Sequence, residues 1–91
     1  MKVVLTQLAE KELEDAATWY SSRAPGMGSA FIVAVGLTLR RVRNYPNAAP
    51  PDKHGIRCAL VSGFPYGIRY HLEGDLATVL AISHTHRKPG Y

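Results

Sequence analysis

The hydrophobic positions of this 91-residue chain change their spacing about halfway along it. After a short β-branched run, Lys2–Leu5, apolar residues recur at intervals of three and four, as on one face of an α-helix. From Ile56 onward they alternate with polar or small residues, as in half-buried strands. The pattern therefore predicts an opening strand, then two helices, then a C-terminal group of strands.

The first helix is predicted to begin after Thr6, whose hydroxyl can accept a hydrogen bond from a free backbone N–H of the first turn. Its apolar face is formed by Leu13, Ala16, Ala17 and Tyr20. We expect the helix to end near Trp19–Tyr20, before a break at residues 23–28. Proline cannot continue a helix, and the glycines of this segment permit a tight reversal.

A second helix is predicted from about Ser29 to Arg43. One stripe at helical spacing consists of Phe31, Ala34, Val35, Thr38 and Val42. Its other faces are also apolar, through Ile32, Val33, Leu37 and Leu39. A chain this short cannot bury a helix on every side, so we expect part of this surface to contact another chain. A strand from Phe31 to Val35 is the alternative, which Gly36 and the length of the segment leave open.

The second half of the chain predicts three strands. The segment Asn44–Pro46 ends the second helix, and residues 47–55 form a loop. The strands are Ile56–Val61, Tyr66–Leu72 and Leu76–Ser83, with a hairpin turn at residues 73–75. The last strand is apolar on both faces, which predicts a central position. The predicted fold is α+β in the order β-α-α-β-β-β, an N-terminal helical hairpin packed on a mostly antiparallel sheet.

Size and composition indicate one domain, residues 1–91. Hydrophobic residues make up 46% and charged residues 20%, which excludes a disordered chain. The single cysteine, Cys58, excludes an intramolecular disulfide and a thiolate metal cluster, and it fits a reducing compartment. The N-terminus lacks the features of a signal peptide, and the longest apolar stretch is shorter than the ~20 residues that span a bilayer. We expect a cytoplasmic protein with no membrane partner.

The net charge of +4 is unevenly distributed. Residues 1–39 carry three basic and four acidic side chains, whereas residues 40–91 carry eight basic and three acidic ones. The C-terminal half would therefore attract an acidic protein or a nucleic-acid backbone. An ordinary solvated basic face is the alternative interpretation.

Several short motifs follow one another along nearly the whole chain. They are Leu8-Ala9-Glu10, Trp19-Tyr20, Tyr45-Pro46, Ile56-Arg57, Gly63-Phe64-Pro65-Tyr66 with Ile68 and Tyr70, Glu73-Gly74-Asp75, and His84-x-x-Arg87-x-Pro89-x-Tyr91. In this order they resemble the small toxins of the RelE/ParE superfamily, from bacterial type II toxin–antitoxin modules. The strand that begins Phe-Pro-Tyr, the glycine-centred turn and the His-x-x-Arg tail are the most specific of these motifs.

The resemblance implies the toxin of a plasmid-stabilisation module, which inhibits growth unless a cognate antitoxin neutralises it. Some members poison DNA gyrase, and others cut mRNA on the ribosome. In its scarcity of lysines on the predicted sheet, the chain resembles the ParE branch more than the RelE branch. That resemblance implies a toxin that binds gyrase and catalyses no reaction of its own. The alternative is a RelE-like ribosome-dependent endonuclease, which the terminal tyrosine and the tail histidines resemble. A non-toxic dimeric binding module that retains the fold is the third interpretation.

The nuclease interpretation requires a base, an acid and a cation that stabilises the phosphate in the transition state. An imidazole titrates near neutrality, a guanidinium binds phosphate bidentately, and a tyrosine stacks on a base or donates a proton. The candidate catalytic residues are His84, His86, Arg57, Arg69, Arg87 and Tyr91.

Alternation along the strands predicts where these groups lie. It places Arg57 and Arg69 on polar faces from which they can converge, and it places His84 on the side of Leu80 and Ile82. Each residue also has a structural alternative. The histidine would then lie at the edge of the core, and the arginines would form surface ion pairs that contribute little.

The binding interpretation uses a partly different set of residues. An antitoxin segment that is disordered alone can fold over the basic sheet and the apolar groove beside the helices. The residues expected to bind antitoxin or target are Arg40, Arg41, Arg43, Arg57, Arg69 and Arg87. The other expected partners are gyrase, or alternatively the ribosome and mRNA, and the expected assembly is a homodimer or a toxin–antitoxin hetero-oligomer. No cofactor or metal is predicted: His84 and His86 could bind a metal only if the tail is extended and a third ligand converges, and His54 or His71 has no support as that ligand.

Overall fold

The computed structural model describes residues 1–86. Its elements are β1 (Lys2–Leu5), α1 (Gln7–Arg23), α2 (Met27–Asn44), β2 (Ile56–Leu60), β3 (Tyr66–Glu73) and β4 (Leu76–His84). The predicted α+β order is confirmed. Helix α1 runs three residues past Tyr20, and α2 begins two residues before Ser29. The strand alternative for residues 31–35 is wrong, because these residues lie inside α2.

The four strands form one sheet in the order β1-β4-β3-β2. The pairs β4–β3 and β3–β2 are antiparallel, whereas β1 is parallel to β4. The mostly antiparallel sheet and the central position of β4 are therefore confirmed. In the described part of the chain, β1 and β2 are the two edges of the sheet.

Thr6 connects the first helix to the centre of the sheet. Its Oγ1 accepts a hydrogen bond from the backbone N–H of Ala9 at 3.2 Å, which confirms the predicted N-cap. The same hydroxyl donates to the carbonyl oxygen of Leu80 at 3.2 Å. The start of α1 is therefore fixed against β4.

The core lies between the helical hairpin and one face of the sheet. The stripe predicted for α2 points into it, with Phe31, Val35, Thr38 and Val42 buried. Aromatic side chains join the layers, at ring-centroid distances between 4.9 and 6.1 Å. These side chains are Tyr20, Phe31, Phe64 and Tyr66. Such contacts stabilise the fold through buried apolar area and edge-to-face ring geometry.

The outer face of α2 is apolar and exposed, as the sequence indicated. Ile32, Val33 and Leu37 are 51%, 61% and 55% exposed. Leu39, predicted to lie on the same surface, packs partly against the core. The expectation that this face contacts another chain stays a prediction.

A β-bulge in β4 changes which side chains share a face. Arg69 pairs with Ala81 and Tyr70 pairs with Val79, so Leu80 has no partner in β3. Strict alternation would separate Val79 from Ile82, yet both belong to the core. Leu80, which the sequence pattern grouped with Ile82, is not part of that core.

Two glycines of α2 have opposite surroundings, which gives a matched pair of substitutions. A Cβ at Gly28 would lie 1.9 Å from Ser21 Oγ and 2.6 Å from the carbonyl oxygen of Ala17, whereas a Cβ at Gly36 would meet no atom within 4 Å. We expect Gly28→Ala to lower the free energy of unfolding by about 1–3 kcal/mol through overpacking. We expect Gly36→Ala to raise it by up to about 1 kcal/mol through helix propensity. Urea denaturation checks both, and equal effects would contradict the hairpin packing.

Candidate functional site

The predicted convergence of Arg57 and Arg69 is wrong. Strand β2 pairs with β3 so that Arg57 lies opposite Tyr70 and Cys58 lies opposite Arg69. Residues directly opposite each other in an antiparallel pair project to the same face of the sheet. Arg57 therefore shares the helix-covered face with Tyr70, which is buried in the core, and Arg69 lies on the other face.

Arg57 is bound to the loop that precedes its own strand. Its Nη1 donates to the carbonyl oxygen of Ala49 at 2.6 Å, and the Tyr70 hydroxyl donates to the carbonyl oxygen of Pro46 at 2.8 Å. Burial raises the pKa of Tyr70, and the charge of Arg57 opposes that shift. These two side chains hold residues 46–49 against the sheet.

Arg69 lies on the face of the sheet that the helices leave uncovered. Its Nε is buried and has no hydrogen-bond partner among residues 1–86. The neighbouring thiol, Cys58, is half-buried, and this burial raises its pKa although Arg69 acts in the opposite direction. The thiol is therefore mostly protonated at neutral pH, which agrees with a packing role.

The two tail histidines lie together at the end of β4, on the helix side. The ring of His84 is 5.5 Å from that of Tyr66 and 5.3 Å from that of His86. The Nδ1 of His84 accepts a hydrogen bond from the backbone N–H of His86 at 3.2 Å. His84 is separated from Arg69 by the sheet itself, and from Arg57 by about 13 Å along the strands.

The remaining predicted residues, Arg87 and Tyr91, lie outside the described part of the chain. Within residues 1–86, no group of three His, Cys, Asp or Glu side chains is arranged to hold a metal ion. No helix of this part is long and apolar enough to cross a membrane.

The three arginines at the end of α2 have different surroundings. Arg41 Nη2 donates to the carbonyl oxygen of Leu60 at 2.9 Å and to Thr38 Oγ1 at 3.4 Å, so it ties α2 to β2. Arg40 and Arg43 line a groove of about 490 Å³ between α2 and β1, and neither forms an ion pair within residues 1–86. We call this the basic groove; its other lining residues are Met1, Lys2, Val3, Leu5, Gly36 and Leu39.

The sequence did not indicate two parts of this arrangement. Lys2 joins the basic groove although it is far from Arg40 along the chain, and only the parallel pairing of β1 with β4 brings it there. A second cleft, of about 890 Å³, lies between α1 and β4 and contains both tail histidines. Three aromatic residues line this cleft, namely Trp19, Tyr20 and Tyr66. Neither feature has a local sequence signal.

Residues 3–89 match the family model described as ParE toxin of the type II toxin–antitoxin system parDE. The chain belongs to the ParE toxin family. A solved structure titled as a chromosomal ParDE toxin–antitoxin system from P. aeruginosa resembles this ParE-family chain with a TM-score of 0.81 and 16% identity. The match covers 92% of this chain and 95% of that one. A search of curated proteins found no match.

Membership in the ParE family confirms the branch of the superfamily that the sequence favoured. The structural neighbour shares 16% identity with this ParE-family chain, so it supports the fold and no more than the fold. The roles of the individual residues stay predictions, and their placement limits which roles they can share.

Asp52 organises the loop that leads to β2 and provides a pH-dependent test of it. Its Oδ1 accepts hydrogen bonds from the backbone N–H groups of Ile56 at 2.9 Å and His54 at 2.8 Å. These bonds lower the pKa of Asp52 below its usual range, and the charges of His54 and Arg69 add to the effect. Because the pKa of Asp52 is lower in the folded state than in the unfolded state, its ionised carboxylate stabilises the fold. This stabilisation is fully present above the unfolded pKa and is lost as pH falls through the folded pKa.

We expect the Asp52 carboxyl to titrate below the usual range of an aspartate, and the Ile56 amide to lose exchange protection as the carboxyl is protonated. NMR titration and amide exchange measure both quantities. In the control variant Asp52→Ala, the Ile56 amide should exchange near its intrinsic, unprotected rate at every pH. Titration of Asp52 above its usual pKa would contradict these hydrogen bonds.

Proposed function

We propose that this chain is a toxin that a cognate antitoxin neutralises and that acts by binding DNA gyrase, without cutting RNA. Membership in the ParE toxin family supports a toxin–antitoxin role. The site of action would be the cytoplasm, where gyrase and its DNA are found.

The observation that carries the binding mechanism is the separation of the groups an RNA nuclease would need together. Of the candidate catalytic residues in the described part, Arg57 donates to a loop carbonyl and lies on the helix side of the sheet. Arg69 lies on the opposite face, and His84 packs its ring against Tyr66. A phosphate held by Arg69 would therefore be out of reach of the His84 imidazole, because the sheet stands between them.

The exposed side of α2, in contrast, supports a binding role. Its exposed side carries Ile32, Val33 and Leu37, and the same side ends in Arg40 and Arg43. An apolar stripe followed by cations fits an amphipathic partner with acidic residues at one end. Such a partner would bury apolar area that the chain leaves in water.

Induction of the protein without its neighbouring gene tests the proposal. We expect incorporation of labelled thymidine to fall before that of labelled methionine, together with DNA-damage signalling and trapped gyrase–DNA complexes. Co-expression with the small acidic protein encoded next door should restore growth, and the two proteins should co-purify. An earlier fall in protein synthesis, with cuts in ribosome-bound mRNA, would establish the nuclease alternative instead.

Substitution of a tail histidine separates the two mechanisms more directly. We expect His86→Ala to leave growth inhibition unchanged, since the side chain is exposed and action by binding needs no proton transfer from it. Loss of a general acid or base would instead lower an RNA-cleavage rate by about 10²–10⁴-fold. His54→Ala, at an exposed histidine of the loop before β2, is the matched control for changes in stability.

A further inference from the structure

The cleft between α1 and β4 has no role in the proposed function. Its volume of about 890 Å³ lies within the range of sites that hold a ligand group. We call it the aromatic cleft, and the side chains that define it are Glu12, Asp15, Trp19, Tyr20, Tyr66 and His84. It combines aromatic rings with carboxylates, which is an unusual pairing for a chain of net charge +4.

One carboxylate is fixed in the lining of the aromatic cleft. Glu12 Oε1 accepts a hydrogen bond from the backbone N–H of Ile82 at 2.8 Å, which holds the group where α1 meets β4. A carboxylate offers about four acceptor sites, so this bond leaves most of its capacity free. Glu12 forms no ion pair with the residues that the structure describes.

The charge of the aromatic cleft is negative. Asp15 adds a second carboxylate at its exposed rim, where it pairs with Lys11 at 3.0 Å. No lysine or arginine of residues 1–86 lines the cleft. The Nδ1 of His84 accepts the backbone N–H of His86, so the His84 ring is neutral in this geometry. A cation would therefore meet negative charge that the described lining residues do not balance.

The aromatic rings add attraction for a cation. Trp19 is 49% exposed, and the guanidinium of Arg23 lies over its ring, 4.5 Å from the centroid. Arg23 is not among the lining residues of the cleft, so this contact leaves the cleft itself open. The contact is also an example, within the molecule, of a guanidinium held by this indole. Tyr20 and Tyr66 line the cleft beside Trp19, and ring faces attract cations in general.

These features favour an arginine side chain over other occupants. Glu12 and Asp15 would repel a phosphate or an acidic segment. A lysine ammonium is a compact point charge, whereas a guanidinium is planar, stacks on aromatic rings and donates to a carboxylate through two N–H groups. Ala16 and Ile82 also line the cleft, and their apolar atoms suit the methylene groups of an arginine.

We propose that the aromatic cleft binds an arginine of a partner protein, with the guanidinium against Glu12 and stacked on the aromatic rings. Only the identity of that partner rests on the proposed function. Under that function the partner is the target rather than the acidic antitoxin, because Glu12 and Asp15 disfavour an acidic segment.

Trp19 is the single tryptophan of the chain, so its fluorescence reports on this cleft. The probe is a capped peptide, Ala-Leu-Arg-Leu-Ala, added to the full chain. We expect a saturable change in emission, with an affinity about tenfold or more above that of the peptide with citrulline in place of arginine. Citrulline has nearly the same shape and no charge. Equal affinity for the two peptides, or no binding of the arginine peptide, would overturn the proposal.

Variants of the cleft provide a second test. Glu12→Gln removes the charge but keeps an oxygen that can accept the Ile82 N–H, so we expect the chain to fold. It should weaken binding of the arginine peptide by about tenfold. Glu14→Gln, exposed on the same helix and outside the cleft, is the matched control. Equal affinity for these two variants would contradict the role of Glu12.

Trp19→Leu keeps an apolar side chain and removes the aromatic ring. We expect it to weaken binding of the arginine peptide by about threefold or more, measured by calorimetry. An unchanged affinity would show that the ring does not contact the guanidinium and would overturn the stacked arrangement.

The competing occupant is Arg87 of the chain itself, which follows His86 in the sequence and lies outside the described residues. We expect Arg87→Gln to bind the arginine peptide as tightly as the original chain, with Lys88→Gln as the charge control. A gain of about tenfold for Arg87→Gln, absent from Lys88→Gln, would show that the chain fills its own cleft and would overturn the proposal.

Growth assays separate this inference from the proposed function. We expect Glu12→Gln to inhibit growth less than the original chain and to co-purify with the neighbouring protein as before. Full inhibition by Glu12→Gln would overturn the assignment of the arginine to the target. If the arginine peptide binds as expected but the chain inhibits no growth, the site stands and the proposed function fails. If DNA synthesis falls but the peptide does not distinguish Glu12→Gln from Glu14→Gln, the site is wrong and the proposed function stands.

Discussion

The register of β3 against its two neighbours is the constraint on which the arrangement of this protein depends. It pairs Tyr70 with Arg57 on one side and with Val79 on the other. Because of these pairings, Tyr70 points into the core and Arg57 lies on the helix-covered face of the sheet. There Arg57 donates a hydrogen bond to the preceding loop. They also leave Arg69 on the uncovered face. A shift by one residue would exchange the faces of every side chain in the strand, so the register determines both the core and the functional surface.

At the edges of this sheet, several side chains form the hydrogen bonds that a neighbouring strand would otherwise form. The carboxylates of Glu12 and Asp52, the hydroxyl of Thr6 and the guanidinium of Arg41 each satisfy a backbone group at a strand edge. A buried backbone group without a partner costs free energy, so these bonds allow short strands and a small sheet to persist.

Much of the fold could be predicted from the sequence, because it follows from local signals. Helical spacing identified both helices, Thr6 identified a cap, and a strand apolar on both faces identified the central position of β4. The helix ends were less accurate: α1 continues to Arg23 and α2 begins at Met27, both inside the predicted break. The face of each arginine could not be predicted, because the register between strands and the bulge at Leu80 depend on distant residues. For the same reason Lys2 was not expected near Arg40.

The bonds that Thr6 and Glu12 make to β4 join residues 74 and 70 positions apart in the chain. Within residues 1–86, strand β1 likewise pairs with β4 alone. During synthesis, the long-range contacts of the first strand and helix can therefore form only after almost the entire chain has been made. Such non-local contacts also slow folding. A ribosome that releases a shortened product yields no completed sheet. The connection between the two ends of the sequence thus makes the folded form conditional on nearly full-length translation.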